Sequence, residues 1–234
     1  MLRIKNLKAG YGGNVVIKGI NLNVKRGEIV SILGPNGSGK STSLKSIFNL
    51  CDIYSGSISW DNKDITKLKT HEKISEGISY VPQGRQIFRD LTVQENLEMG
   101  AFTIKDKKLV KSNLREVYKK FPFLKKSKFR YAHYLSGGQQ QLLSIGRALI
   151  QNPKLLLLDE PSLGLSPKSM NIVFKKIKEI NKEGVTVVIV EQNIKQAIRL
   201  ANRNYVLERG KIVLVDGKNI LKNHKIKSIY FGRG

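Results

Sequence analysis

The chain is poor in the groups that build cross-links and soft-metal sites. Its single cysteine, Cys51, excludes an internal disulfide and any multi-cysteine centre, and its three histidines, His71, His133 and His224, show no ligand spacing. Metal held by thiolates or imidazoles is therefore not expected. Long apolar runs are missing too: nothing approaches the ~18 consecutive apolar residues of a membrane-crossing helix, and stretches such as Leu155–Leu158 have the length of a strand. The opening run from Met1 to Leu7 alternates like a strand and has neither the apolar core nor the small-residue cleavage site of a secretory signal, so the chain is expected to stay in the cytosol. Acids are scarce, with 18 Asp+Glu against 42 Lys+Arg and a formal charge of +24. That imbalance predicts attraction to something anionic, be it nucleic acid, phospholipid headgroups or nucleotide, although a lysine-rich solvated surface accounts for it without a dedicated site. With 234 residues, 40% of them hydrophobic, the chain has enough apolar material for a substantial core and is not disordered as a whole.

What is present alternates between strand and helix signals. Short β-type runs at Arg3–Leu7, Val15–Ile17, Ile20–Val24 and Ile29–Leu33 are broken by Gly12-Gly13, Gly19 and Gly27. After Gly39, residues Leu44, Ile47, Phe48 and Cys51 fall on one helical face. A hairpin around Ile58–Trp60 and a buried strand at Gly77–Val81 follow. Between about Gln83 and Arg130 the character changes to lysine-rich helix, with an apolar spacing at Leu109, Leu114, Val117 and Phe121. The α/β pattern then resumes: a helix through Leu142, Ile145 and Leu149, a strand at Leu155–Leu158, a helix at Ser169–Lys182, a strand at Val185–Val190, a helix after an Asn193 cap, and a terminal hairpin from Tyr205 to Val215. Strands alternating with helices predict a parallel sheet covered on both faces.

Three motifs carry chemistry. Gly34, Pro35, Asn36, Gly37, Ser38, Gly39, Lys40 and Ser41 match G-x-x-x-x-G-K-[ST] behind an apolar strand and ahead of a helix, the context of a phosphate cradle. Backbone N–H groups would surround the phosphates, Lys40 would reach the β/γ-oxygens and the Ser41 hydroxyl would ligate Mg²⁺. The run Leu155–Leu158 ends in Asp159 and Glu160: the first carboxylate can hold the Mg²⁺ shell and the second can polarise a water for attack on a γ-phosphate. Leu135, Ser136, Gly137, Gly138 and Gln139 form a second serine- and glycine-led helix start, one more anion-binding terminus than a single nucleotide needs.

In this order and separation the motifs resemble the ABC-type ATPases, and the resemblance covers essentially the whole chain. It implies an α/β P-loop NTPase core with a mixed, mainly parallel sheet, an N-terminal antiparallel β portion and a helical insert. The chain would form one domain over residues 1–234, with a RecA-like core at about 1–83 and 150–234 and the helical subdomain at about 84–149. It also implies ATP with Mg²⁺, bound between the glycine loop of one subunit and the Ser136–Gln139 signature of a facing one. Carried over by position, Tyr11 is the aromatic that stacks on adenine, Thr42 extends the cradle, and Gln83 contacts Mg²⁺ and the attacking water. Two positions depart from the family pattern. Gln192 stands where histidine is usual, and can donate to a γ-phosphate without carrying a proton; Ser166 stands where aspartate is common, which puts the usual contact across subunits in doubt.

Val190–Asn193, Glu160–Ser166, Gly84–Phe88, Leu91–Ala101 and Ile229–Gly232 are similar to the second ATP-binding subunit of branched-chain amino-acid importers, although many members of that branch carry glutamate at the position of Gln83. The resemblance then implies an energy-coupling enzyme peripheral on the inner face of the cell membrane. Its partners would be a second ATPase subunit, non-identical more readily than identical, the permease subunits and, indirectly, a substrate-binding protein. Two other readings stand beside it: a soluble ABC ATPase acting on nucleic acid or ribosomes, which the charge suits but the lack of a paired module or coiled-coil insert does not, and a lipid-export ATPase, against which Gln192 argues. No specific nucleic acid is expected.

Overall fold

The computed structural model describes residues 1–223 and Ile226. His224 and the Ile229–Gly232 segment lie outside the described residues.

The N-terminal strand β1 (Leu2–Tyr11) turns through Gly12-Gly13 into β2 (Asn14–Val24), a single antiparallel strand where two were expected; the register slips by one residue at Gly19, so the glycine is a bulge inside the strand and does not end it. β3 (Ile29–Leu33) leads through the glycine loop into α1 (Lys40–Ile47). Cys51 was expected on the face of this helix, but Asn49 adopts a left-handed conformation (φ 59°) that closes the helix early and carries Cys51 onto the following segment. The chain continues as β4 (Asp52–Trp60), β5 (Lys63–Asp64), α2 (Thr70–Ser75) and β6 (Ile78–Val81). Among the described residues the stretch from β6 to the next strand holds helices only: α3 (Val93–Met99), α4 (Lys107–Lys120), α5 (Pro122–Lys126), a 3-10 turn at Ala132–Tyr134 and α6 (Gly137–Leu149). Leu109 was expected on the inward face of α4, yet it is exposed; Val110 takes its place with Leu114, Val117 and Phe121, one residue out of the expected phase. β7 (Leu155–Asp159), α7 (Pro167–Lys182), β8 (Thr186–Val190), α8 (Ile194–Leu200), β9 (Arg203–Glu208) and β10 (Lys211–Asp216) complete the main elements.

Two sheets result. One is antiparallel in the order β2-β1-β4-β5; the other runs β10-β9-β3-β8-β7-β6, parallel throughout except for β10 at its edge. The central strands are buried on both faces, as their unbroken apolar runs predict. Alternation assigns their side chains to two cores: Leu156, Leu158, Val187 and Ile189 pack under α3, α4, α6 and α7, while Leu155, Leu157, Val188 and Val190 pack toward α1 and the antiparallel sheet. The helical segment therefore shares its core with one face of the parallel sheet.

A buried cation fastens the end of α1. Lys73 on α2 is 0% exposed and donates to the Ile47 carbonyl at 2.8 Å. Burial draws its pKa from 10.5 down to about 8, with Cys51 and Asp64 opposing. Between those values the unfolded chain holds a proton that the native protein has released, so this group's contribution to stability rises with pH across the window and is lost as pH falls through about 8. Lys73→Met should remove that rise. The check is the difference in urea midpoint between wild type and variant at several pH values across the window; a difference independent of pH would contradict the assignment.

Candidate functional site

The glycine loop lies at the carboxyl end of β3, and its last glycine, Gly39, is the N-cap of α1. At φ 102° Gly39 holds a backbone conformation that side chains disfavour, and it supplies no side-chain cap. The first N–H groups of α1 are thus left for an external acceptor. Ser38 Oγ is buried with no hydrogen-bond partner among the described residues, an orphaned polar atom in the wall of the same loop. Lys40 is 5% exposed, and its ammonium donates to the Pro35 carbonyl at 3.1 Å, folded back on the loop itself. Burial lowers its pKa below the ordinary lysine value, while Glu160 and Asp159 oppose that shift. An open helix end, an orphan hydroxyl and a desolvated ammonium together suit a polyphosphate.

Asp159 ends β7, one strand removed from β3. It accepts from two sides: Ser41 Oγ donates to Oδ1 at 2.8 Å and the Tyr80 hydroxyl donates to Oδ2 at 3.0 Å. Burial raises the Tyr80 pKa, and the neighbouring Asp159 raises it further, so the phenol is a dependable donor. Ser41 and Asp159 are hard oxygen donors of the kind Mg²⁺ selects. Among the described residues no group of three or more His, Cys, Asp or Glu side chains could hold a metal ion.

Glu160 is the next residue and adopts φ 47°, a strained left-handed conformation fixed by its N–H donating to the Val190 carbonyl at 2.9 Å. The resulting turn aims its carboxylate at two amides: Gln83 Nε2 and Gln192 Nε2 donate to the same oxygen, Oε2, at 3.1 and 2.8 Å. Residues from the ends of β6, β7 and β8 meet there because those strands are neighbours in the parallel sheet. The loop after Glu160 is pinned by Glu191, which accepts from Ser162 N–H at 3.0 Å and Ser162 Oγ at 2.8 Å. Burial pushes the Glu191 carboxyl above its ordinary pKa, and the Ser162 bonds pull the other way.

The signature segment shares no hydrogen bond with this cluster among the described residues. Ser136 caps α6 and shares a capping box with Gln139, and no hydrogen bond joins Ser136–Gln139 to Gly34–Ser41 among the described residues. A Cβ on Gly137 would sit 2.2 Å from the Arg85 guanidinium, and one on Gly138 would sit 2.8 Å from Ser169. Both glycines therefore serve packing inside the chain as well as leaving the helix end open. Ser166 has a local role too: it caps α7, accepting from the Ser169 N–H at 3.3 Å. Tyr11 is 41% exposed at the end of β1, with Lys45 of α1 at 5.9 Å from its ring centroid. It borders a cleft of about 770 Å³ that runs past Asp52 and Tyr54 to Lys67, and that none of the Gly34–Ser41 residues lines.

Sequence reasoning missed three participants. Tyr80 carried a signal, since a tyrosine in an otherwise apolar buried strand must find a partner for its hydroxyl. Glu191 carried the same signal as Asp159, an acid directly behind an apolar run. Arg85 carried none.

The match to a family model for ABC transporters spans residues 17–163. The high-affinity branched-chain amino acid transport ATP-binding protein BraG of Pseudomonas aeruginosa is 43% identical over 99% of this chain and 100% of its own length. The lipopolysaccharide export system ATP-binding protein LptB of Haemophilus influenzae is 34% identical over 99% and 97%. An ATP-binding cassette of an ABC transporter, crystallised in its ADP conformation, superposes with a TM-score of 0.90 at 30% identity, covering 100% of this chain and 99% of that one. A dimeric cassette in a post-hydrolysis state with ADP and Pi superposes with a TM-score of 0.80 at 32% identity, covering 93% and 99%.

The cradle makes a direct prediction. Lys40→Ala should weaken ATP binding by at least roughly tenfold, the order set by losing a charge-assisted contact to phosphate. Equilibrium binding of a fluorescent ATP analogue checks it, and wild-type affinity in the variant would contradict the assignment.

Proposed function

The chain belongs to the ABC transporter family and is a nucleotide-binding ATPase; from that premise we propose that it powers an importer of branched-chain or related amino acids. One observation carries the reading of the site. Glu160 is held in a strained turn with both Gln83 and Gln192 on one carboxylate oxygen, beside the Ser41–Asp159 pair. In this reading Gly34–Thr42 hold the phosphates, Lys40 turns from Pro35 to the β/γ-oxygens, and Ser41, Asp159 and Gln83 hold Mg²⁺. Bound there, Mg²⁺ would offset charge developing on the phosphate oxygens. Glu160 takes the proton of the attacking water, Gln83 and Gln192 orient that carboxylate, and Tyr11 stacks on the adenine ring.

Ser136–Gln139 open a second helix terminus, one more anion-binding end than a nucleotide on the glycine loop needs, which supports a second ATPase subunit offering its own α6 terminus. A dimeric relative with ADP and Pi supports the same assembly. ATP then acts as a clamp: it favours the closed pair by contacts made only there, and hydrolysis removes them. The departures at Gln192 and Ser166 favour a non-identical partner that carries the usual groups. No described helix is long and apolar enough to cross a membrane; in this reading the permease subunits hold the chain at the inner face. The helical segment 84–149 is the arm they would push, with a substrate-binding protein on the far side of the membrane.

The substrate class follows from kinship alone, and the stronger kinship is to branched-chain amino acid transport, 43% against 34% for lipopolysaccharide export. Gln192 in place of histidine leans the same way. Reconstitution with a candidate permease and binding protein tests it: ATPase activity should rise with leucine, isoleucine or valine. Stimulation by a lipid-export permease instead, or salt-sensitive binding to RNA at nanomolar level, would overturn the import reading.

The catalytic assignment has its own test. Glu160→Gln should lose roughly 10²- to 10⁴-fold in turnover, the range of a general base, while ATP affinity stays near wild type and ATP-bound dimers accumulate. Undiminished turnover would remove Glu160 from the role.

A further inference from the structure

An apolar cleft of about 490 Å³ opens between the helical segment and the parallel sheet, with Phe48, Tyr80, Phe88, Phe102 and Arg147 in its walls. Phe88 and Phe102 are 45% and 67% exposed, and Arg147 lies over the Phe88 ring at 5.0 Å with no carboxylate partner among the described residues. An exposed aromatic rim around a guanidinium that donates to the Gln86 carbonyl but meets no carboxylate among the described residues suits an amphipathic protein segment bearing an acid, and in the reading above that segment belongs to the permease.

Tyr80 belongs to this cleft and to the phosphate site at once. Its ring lies against Phe48, centroids 5.6 Å apart, and lines the cleft; its hydroxyl donates to Asp159 Oδ2 at 3.0 Å. Among the described residues no other side chain both lines the cleft and hydrogen-bonds to Asp159 or Glu160. The path is short and contiguous: cleft, Tyr80 ring, Tyr80 hydroxyl, Asp159, Ser41, glycine loop. Asp159 has two oxygens and two donors, so its carboxylate plane is set jointly by α1 through Ser41 and by β6 through Tyr80. A segment packed on the ring would hold the hydroxyl on Asp159, and an empty cleft would leave that donor freer to move.

We propose that Tyr80 is a positioning residue that orients Asp159 for Mg²⁺ and makes that orientation depend on what fills the aromatic cleft. The proposal rests on the assignment of Asp159 and Ser41 to Mg²⁺ and of the cleft to the permease. It goes beyond both by naming the side chain through which docking reaches the nucleotide.

Tyr80→Phe is the test, because it keeps the ring in the cleft and removes only the donor; an unchanged melting temperature reports that the fold is kept. The readout is the Mg²⁺ concentration at half-maximal binding of a fluorescent ATP analogue, measured on the full chain and on the chain assembled with its permease. Tyr80→Phe should raise that concentration by roughly tenfold in the free chain, the order of a hydrogen bond to a charged acceptor, while Mg²⁺-free nucleotide affinity is unchanged. Permease should lower the half-maximal concentration for wild type and fail to do so for Tyr80→Phe. In the assembled transporter kcat should fall more than KM changes. An unshifted Mg²⁺ requirement in Tyr80→Phe, with Ser41→Ala shifted, would overturn the proposal and leave the metal assignment intact. If neither variant shifts, the metal assignment itself falls and Tyr80 falls with it. A shift in Tyr80→Phe with the permease effect retained would overturn the link to the cleft.

Discussion

The structure depends on the carboxylate of Asp159 being held, buried, between two hydroxyl donors. At 1% exposure its oxygens need hydrogen-bond donors, and Ser41 and Tyr80 provide them from different sides while Lys40 lies near enough to feel its field. Each donor comes from a different element: Ser41 from the first turn of α1, Tyr80 from β6. One side chain at the end of β7 therefore fixes the glycine-loop helix relative to the edge of the parallel sheet. Glu160 inherits its place from the same strand end, and its strained backbone persists because the Val190 carbonyl holds it. The two acids are adjacent in sequence but face different tasks, one toward the loop and one toward the paired glutamines.

Contiguity decided what could be read from the amino-acid sequence. The glycine loop, the acid pair and the signature are unbroken runs whose residue types state their chemistry, and the flanking strand and helix patterns were plain. Gln83 and Gln192 could be named only by resemblance to a family. They stand 77 and 32 residues from Glu160, and only the strand order β3-β8-β7-β6 brings both amides onto one oxygen. Tyr80, the Ser162–Glu191 clamp and the approach of Arg85 to Gly137 depend on that order in the same way. The errors in helix reading were local. An apolar spacing could not foresee that Asn49 would turn left-handed and strand Cys51, and a phase shift of one residue exchanged Leu109 for Val110 on α4. The sequence pattern also split β2 at a glycine that is only a bulge.

The excess of positive charge has a plain consequence. With 18 acids for 42 basic residues, most lysines among the described residues lack a carboxylate partner, and ion pairs such as Lys119 with Glu116 are solvent-exposed and screened. The acids that matter most are withdrawn from that surface: Asp159, Glu160 and Glu191 are all buried at the carboxyl ends of β7 and β8. A basic exterior around a buried acidic centre attracts polyanions in general, and in the proposed reading the glycine loop selects the phosphate chain among them.

In the proposed assembly a nucleoside triphosphate is gripped by the glycine loop of one chain and the α6 terminus of another. A structure of the ATP-bound Glu160→Gln protein, assembled with its permease and partner subunit, tests this most directly. The expected result is the γ-phosphate between Lys40 and the amides of a signature helix contributed by the facing subunit, with Gln83 and Gln192 still on the side chain at position 160. Nucleotide held by one chain alone, with both signature helices turned away from it, would contradict the account.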